Sequence, residues 1–308
     1  MNRSALKANW LIDPERKVRP LWRALLFYVL GNWALIPLLE RAYDPIARAF
    51  HMREGLTAAN IALDELILLI ATLICTALFA RYEGRRVDSY GLPRQLALGA
   101  LTWEGALAGV VMAASVALGM YLLGGMQVLG LATTGSALAL SALGWLIANI
   151  LIGVAEEYWY RSYILQTLWK SLGFWPAASL IALNFAADHY FTKTGENIWD
   201  VITLVSLSLL LCYSVLSTGT LWFAVGFHVA FDYMQLFVIG TPNGAQVPVG
   251  RLMNVRFAGP EWLTGGALGT EASFLMYPMI ILLWLYIYIW WRFPALPAVP
   301  RATTVQAY

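Results

Sequence analysis

From Ser136 to Ala155 the chain carries no charged residue. A helix of that length, rising about 1.5 Å per residue, crosses most of the hydrocarbon of a bilayer. Directly after it stands Gly153-Val-Ala-Glu-Glu-Tyr-Trp-Tyr-Arg161, which sets two carboxylates and a guanidinium among apolar and aromatic neighbours. Charges that deep are costly unless they are paired or used, so they mark a candidate functional site. Glu157 and Arg161 are spaced i, i+4 and can pair on one helical face. Glu156 points about 100° away and has no local partner.

The rest of the chain repeats the pattern. Of 308 residues, 60% are hydrophobic and 12% charged, roughly half the charged share of a soluble domain. The expected fold is all-α, a polytopic transmembrane helical bundle of about eight spans. These are Trp22–Leu39, Thr57–Phe79, Leu101–Leu123, Ser136–Trp169, Phe174–Phe191, Trp199–Leu216, Leu221–Ile239 and Phe274–Trp291. The domain division follows: a polar arm over 1–20, three helices within 21–135, a core of four helices within 136–240, a loop and last helix within 241–293, and a flexible tail over 294–308. Lysine and arginine gather on the side of the N-terminus (Arg3, Lys7, Arg16, Lys17, Arg19, Arg23, Arg81, Arg85, Arg86, Arg94, Arg161, Lys170, Arg292 and Arg301) and thin out on the other (Arg41, Arg48, Arg53, Lys193, Arg251 and Arg256). That bias puts both termini in the cytoplasm. Short loops and compact length suggest a bacterial inner membrane.

Several classes fall away. The net charge is only +2 and no basic stripe appears, which argues against nucleic acid. Cys75 and Cys212 lie in apolar segments and read as packing residues rather than a disulfide framework. The basic N-terminus is not followed by a short apolar core with a cleavage site, so the first helix reads as retained. The last residues carry no prenylation box.

Three stretches place ionisable groups in apolar helices: Glu156-Glu157-x-x-x-Arg161, Phe185-x-x-Asp188-His189 and His228-x-x-x-Asp232. The remaining histidine, His51, sits in a loop with no partner pattern. Glu156 and His189 lie about sixteen residues on either side of the turn near Gly173, so an antiparallel hairpin sets them at equal depth. His228 fits less neatly, being only about 13 Å from its own turn by the same rise. To meet it, the helix bearing Glu156 must project further into the cytoplasm. One carboxylate and two imidazoles around a point can activate water, by general-base glutamate or through a divalent metal such as zinc held by Glu156, His189 and His228. His228 and Asp232, at i, i+4, suit a carboxylate that orients the ring. Asp188 faces elsewhere and reads as a helix-packing group, Phe185 packs on His189, and Asp64, Glu65 and Glu104 read as interfacial.

These three motifs in this order, from about Leu143 to Tyr233, resemble the CPBP family, the CAAX-protease and bacteriocin-processing (Abi) intramembrane proteases. The resemblance implies a membrane endopeptidase acting on a peptide or membrane-protein substrate. It gives the water-activating role to Glu156 and His189, with Glu157, Arg161, His228 and Asp232 completing the site. Asp232 stands where the eukaryotic members resemble one another in having Asn. An ionised Asp donates no hydrogen bond, so orienting His228 is the role it suits. Two other readings use the same groups: a proton-coupled transporter and a non-catalytic membrane scaffold. Against the transporter, the chain shows no inverted repeat and no paired broken helices.

Overall fold

A computed structural model describes residues 10–13, 17–49 and 55–292. Most of the expected N-terminal arm, His51 and the expected tail over 294–308 lie outside the described residues. The chain is a bundle of helices: α1 (Pro20–Leu30), α2 (Ile36–Ala49), α3 (Ala58–Glu83), α4 (Ala100–Leu122), α5 (Gly135–Tyr158), α6 (Leu165–Leu172), α7 (Phe174–Thr192), α8 (Ile198–Thr218), α9 (Trp222–Asp232), the short α10 (Glu261–Thr264) and α11 (Met276–Arg292). Among the described residues, seven helical stretches are long and apolar enough to cross a membrane. The eighth expected span is α7, a helix of 19 residues that does not reach the same hydropathy because Asn184, Asp188 and His189 crowd its second half. The first span is longer than expected. A wide π-turn over Gly31–Leu35 joins α1 to α2, so the helix runs past Pro37 and Glu40 to Ala49.

Two more π-turns widen helices of the core. Trp159–Ile164 joins α5 to α6, and Tyr233–Ile239 extends α9. Such bulges gather at functional sites because they re-aim side chains within a helix. The first is braced from outside: Tyr163 and Tyr90 donate to the Glu83 carboxylate at 2.7 and 3.0 Å, and Arg23 pairs with it at 2.7 Å. Gly173, at φ 81°, reverses the chain between α6 and α7 with no further linker.

Helix α9 is wedged between α4 and α5. Gly105 and Gly109 of α4 and Gly226 of α9 lie backbone to backbone: a Cβ on Gly226 would overlap the Thr102 carbonyl, and one on Gly105 the Phe223 carbonyl. Gly153 of α5 takes Val229 in the same way. Small residues let membrane helices approach this closely, where dispersion replaces the missing hydrophobic drive. The level of α9 is set by the loop after α3, since Leu221 N–H donates to Gly91 O at 2.8 Å and Trp222 Nε1 to Pro93 O at 2.9 Å.

One apolar core lies where α4, α8, α9 and α11 meet, around Met112, Leu210, Phe227 and Ile287, and a second where α1 and α7 meet the α5–α6 rod, around Phe27, Tyr163 and Ala178. Leu107, Leu118, Leu122 and Ile281 remain exposed on the outside, the surface a lipid would cover. The fold departs from purely helical in one place. The glycine-rich connection after α4 forms strand β1 (Met126–Leu131), which pairs antiparallel with β2 (Met253–Phe257) of the late loop, from Met126↔Phe257 to Leu131↔Met253.

Candidate active site

The site residues come from three helical segments: α5 with the π-turn that follows it, α7 and α9. On α5, Glu157 is fully buried and accepts from Arg161 Nη1 at 2.7 Å, the i, i+4 pair that the spacing allowed. Arg161 Nη2 reaches on to Ser208 Oγ of α8 at 2.8 Å. On α9, His228 brings Nδ1 to 2.9 Å from Glu157 Oε1. Its Nε2 lies 3.7 Å from Glu156 Oε2 and 3.5 Å from Asp232 Oδ2. A carboxylate only accepts, so His228 donates through Nδ1 to Glu157 and turns Nε2 toward two more acids.

Helix α7 supplies His189, whose Nδ1 lies 2.9 Å from the Phe185 carbonyl oxygen. A carbonyl only accepts, so Nδ1 holds the proton and Nε2 keeps a free lone pair. Phe185 is the apolar hub of the site: its ring lies 4.4 Å from that of His189 and 6.4 Å from that of His228, with the Arg161 guanidinium 5.6 Å from its centre. Asp188 accepts from Tyr160 and Asn184, both at 2.7 Å, and serves helix packing.

These groups border one cavity of about 140 Å³, lined among others by Glu156, His189, His228, Asp232 and Arg161. His228 meets the α5 acids despite its short distance from its own turn. Helix α6 continues the α5 rod and packs against α1 and α7. Glu156 stays half-buried, and its Oε2 has no hydrogen-bond partner within the protein.

Three cavity residues were not foreseen as part of the site. Glu65 of α3, read as interfacial, instead lines the cavity, with its Oε2 buried and unpartnered. Helix α3 runs parallel to α5, with Ala58 against Gly144 and Glu83 bonded to Tyr163, which brings Glu65 alongside the site. Its signal was an acid inside a 26-residue apolar helix. Asp64 beside it is exposed, and Glu104 is half-buried away from the cavity. Lys193, just past α7, and Glu271, in the 3₁₀-helical stretch Gly266–Ala272, complete the lining. Glu271 is held there because Thr270 hydroxyl donates to the buried Gln235 side chain and Thr270 N–H to Thr241 Oγ1 at 3.0 Å.

The proposed metal set fits poorly. Among the described residues no three His, Cys, Asp or Glu side chains converge as ligands. His228 has one ring nitrogen on Glu157 and the other toward two carboxylates.

A comparison with curated proteins found no match to the chain. The family model of the type II CAAX prenyl endopeptidase Rce1-like proteins matches residues 138–234, from the first turn of the first site helix to just past Asp232. The matched segment, which holds all three motifs, is thus similar to the type II CAAX prenyl endopeptidase Rce1-like family, a similarity that indicates a membrane protease, and seven apolar helices make the chain an integral multi-pass membrane protein.

Proposed function

We propose that this protein hydrolyses a peptide bond near the membrane interface with water activated by Glu156 and held by His189. The observation that carries the reading is the pairing of two unspent acceptors at one cavity, the free oxygen of Glu156 and the free Nε2 of His189. Glu156 removes a proton from water, and the water oxygen bonds to the scissile carbonyl carbon. The carbonyl electrons move to oxygen. When they return, the C–N bond breaks and the amine leaves with the proton that Glu156 held. His228, fixed by Glu157 and flanked by Asp232, holds the Glu156 carboxylate in line. The Arg161 pair anchors that arrangement to α8. The substrate is a peptide or membrane-protein segment entering from the bilayer boundary. Both termini are cytoplasmic, and short loops and small size suit a bacterial plasma membrane.

The test is cleavage of a fluorogenic peptide panel by detergent-purified protein, beside Glu156→Gln and His189→Ala, each with and without a chelator. Cleavage lost in both variants yet resistant to the chelator supports glutamate-activated water. Cleavage abolished by the chelator moves the mechanism to a metal, and cleavage retained in Glu156→Gln overturns the role given to that residue.

A further inference from the structure

Attack of water turns the scissile carbonyl oxygen into an oxyanion, and a site that accelerates the step needs a donor aimed at that oxygen. The donors already named are spent. Arg161 gives Nη1 to Glu157 and Nη2 to Ser208, and its Nε is buried. His228 gives Nδ1 to Glu157 and turns Nε2 toward Glu156 and Asp232. His189 gives Nδ1 to a carbonyl. Asp232, when ionised, only accepts. Of the cavity lining this leaves the Ser208 hydroxyl, which accepts from Arg161, the neutral amide of Asn243 and, as the one cation among them, the ammonium of Lys193.

Lys193 stands four residues after His189, and its N–H donates to the His189 carbonyl at 2.9 Å, so the helical turn continues through it. Residues spaced i, i+4 share a helix face, which turns Lys193 to the side of His189, and it lines the same cavity. Among the described residues no hydrogen bond or ion pair within 4.0 Å engages its ammonium. The acids that face it come from four elements: Glu271 of the 3₁₀ stretch, Glu156 of α5, Asp232 of α9 and Asp200 of α8. Burial works against its charge, but these acids outweigh burial and hold Lys193 above the ordinary lysine value, so it is protonated at neutral pH.

Resting on the water-activation reading above, we infer that Lys193 donates to the scissile carbonyl oxygen and stabilises the oxyanion, the role that Asp232 cannot take. No further reactant is needed. The charge gathered on oxygen in the attack is met by the ammonium and returns to the carbonyl as the amine leaves. The surrounding acids keep the lysine charged yet none pairs with it at contact distance, so the substrate oxygen is its first close partner.

The experiment measures kcat and KM for the full chain in detergent on an internally quenched peptide, with Lys193→Gln, Lys193→Arg, Lys193→Gln combined with Asp232→Asn, and Glu156→Gln. A phosphinate pseudopeptide of the same sequence, whose anionic tetrahedral phosphorus copies the intermediate, is titrated as inhibitor against each. Lys193→Gln is expected to lower kcat by about 10²-fold or more with KM nearly unchanged, and to weaken the phosphinate in parallel. Lys193→Arg keeps most of the activity, and adding Asp232→Asn to Lys193→Gln recovers part of the loss by supplying a neutral donor. A kcat for Lys193→Gln within about threefold of wild type, or unchanged phosphinate affinity beside a lowered Tm, overturns the inference. Full activity in Glu156→Gln would overturn the water-activation reading and this inference with it. An inactive Glu156→Gln beside an active Lys193→Gln overturns the lysine's role alone.

Discussion

Glu157 of α5 accepts a hydrogen bond from His228 of α9 at 2.9 Å, although the two are 71 residues apart in sequence. The same Oε1 takes Arg161 at 2.7 Å. One oxygen thus ties two helices and a guanidinium together, while the neighbouring Glu156 is left uncommitted. The division of labour between adjacent glutamates follows from the helix: one residue's rotation carries the first into the protein and the second to the cavity.

Arg161→Ala should therefore act as a fold mutation before it acts on chemistry. It leaves the Glu157 carboxylate buried without its cation, and breaking such a pair costs about 3–5 kcal/mol. Thermal unfolding in detergent should show a large fall in Tm together with lost cleavage. Glu156→Gln, at a half-buried carboxylate with no hydrogen bond on its Oε2, should leave Tm within about a degree or two, since substitutions away from such networks change little.

The approach of α9 to α4 predicts a second fold-dependent loss. Gly226→Ala places a Cβ against the Thr102 carbonyl. Overpacking of this kind costs about 1–3 kcal/mol. Because His228 and Asp232 ride on the same helix, peptide cleavage should fall along with Tm. Gly144→Ala, whose Cβ would meet only Ala58 at 3.6 Å, should change neither, and the pair of variants measured side by side checks the argument.

Glu65 gives a prediction of opposite sign for stability. Its buried, unpartnered oxygen is a cost to the fold, and it lines the same cavity as Glu156. Glu65→Leu should hold or raise Tm and lower kcat by about tenfold, the size of loss expected when a site's electrostatics are altered without removing its base. A drop in Tm with unchanged kcat would remove Glu65 from the site.

The hydroxyl of Thr270 on Gln235 secures the stretch that carries Glu271. Thr270→Val leaves the buried Gln235 side chain short of a partner, at about 1–3 kcal/mol. Amide hydrogen exchange should speed up across residues 241–272 and stay constant in α4 and α8. Uniform exchange across the chain would show that this stretch is held by other means.

How far the sequence could see follows from where each residue's partners lie. The Glu157–Arg161 pair is local, and Glu156 and His189 flank one short turn, so helix spacing alone brings them to a common depth. His228 needed tertiary information. Its level depends on the loop bonds from Gly91 and Pro93. Glu65 and Glu271 reach the cavity through helix packing and loop anchoring that no periodicity records, whereas Lys193 follows His189 at the i, i+4 spacing of one helix face. Strand β1 was hidden in a glycine-rich connection because its partner lies more than a hundred residues away in sequence. Asn184 and Asp188, with the site residue His189, lowered the hydropathy of α7, so the polar residues around the second motif weakened the signal of its span.

The most direct test of the account is the rate of peptide cleavage by Glu156→Gln beside wild type, with both shown to be folded by thermal scanning. Loss of a general base predicts a fall of about 10²–10⁴-fold at unchanged Tm. A folded Glu156→Gln protein that cleaves within about tenfold of wild type would contradict it, because a base worth so little is not the one that activates the water.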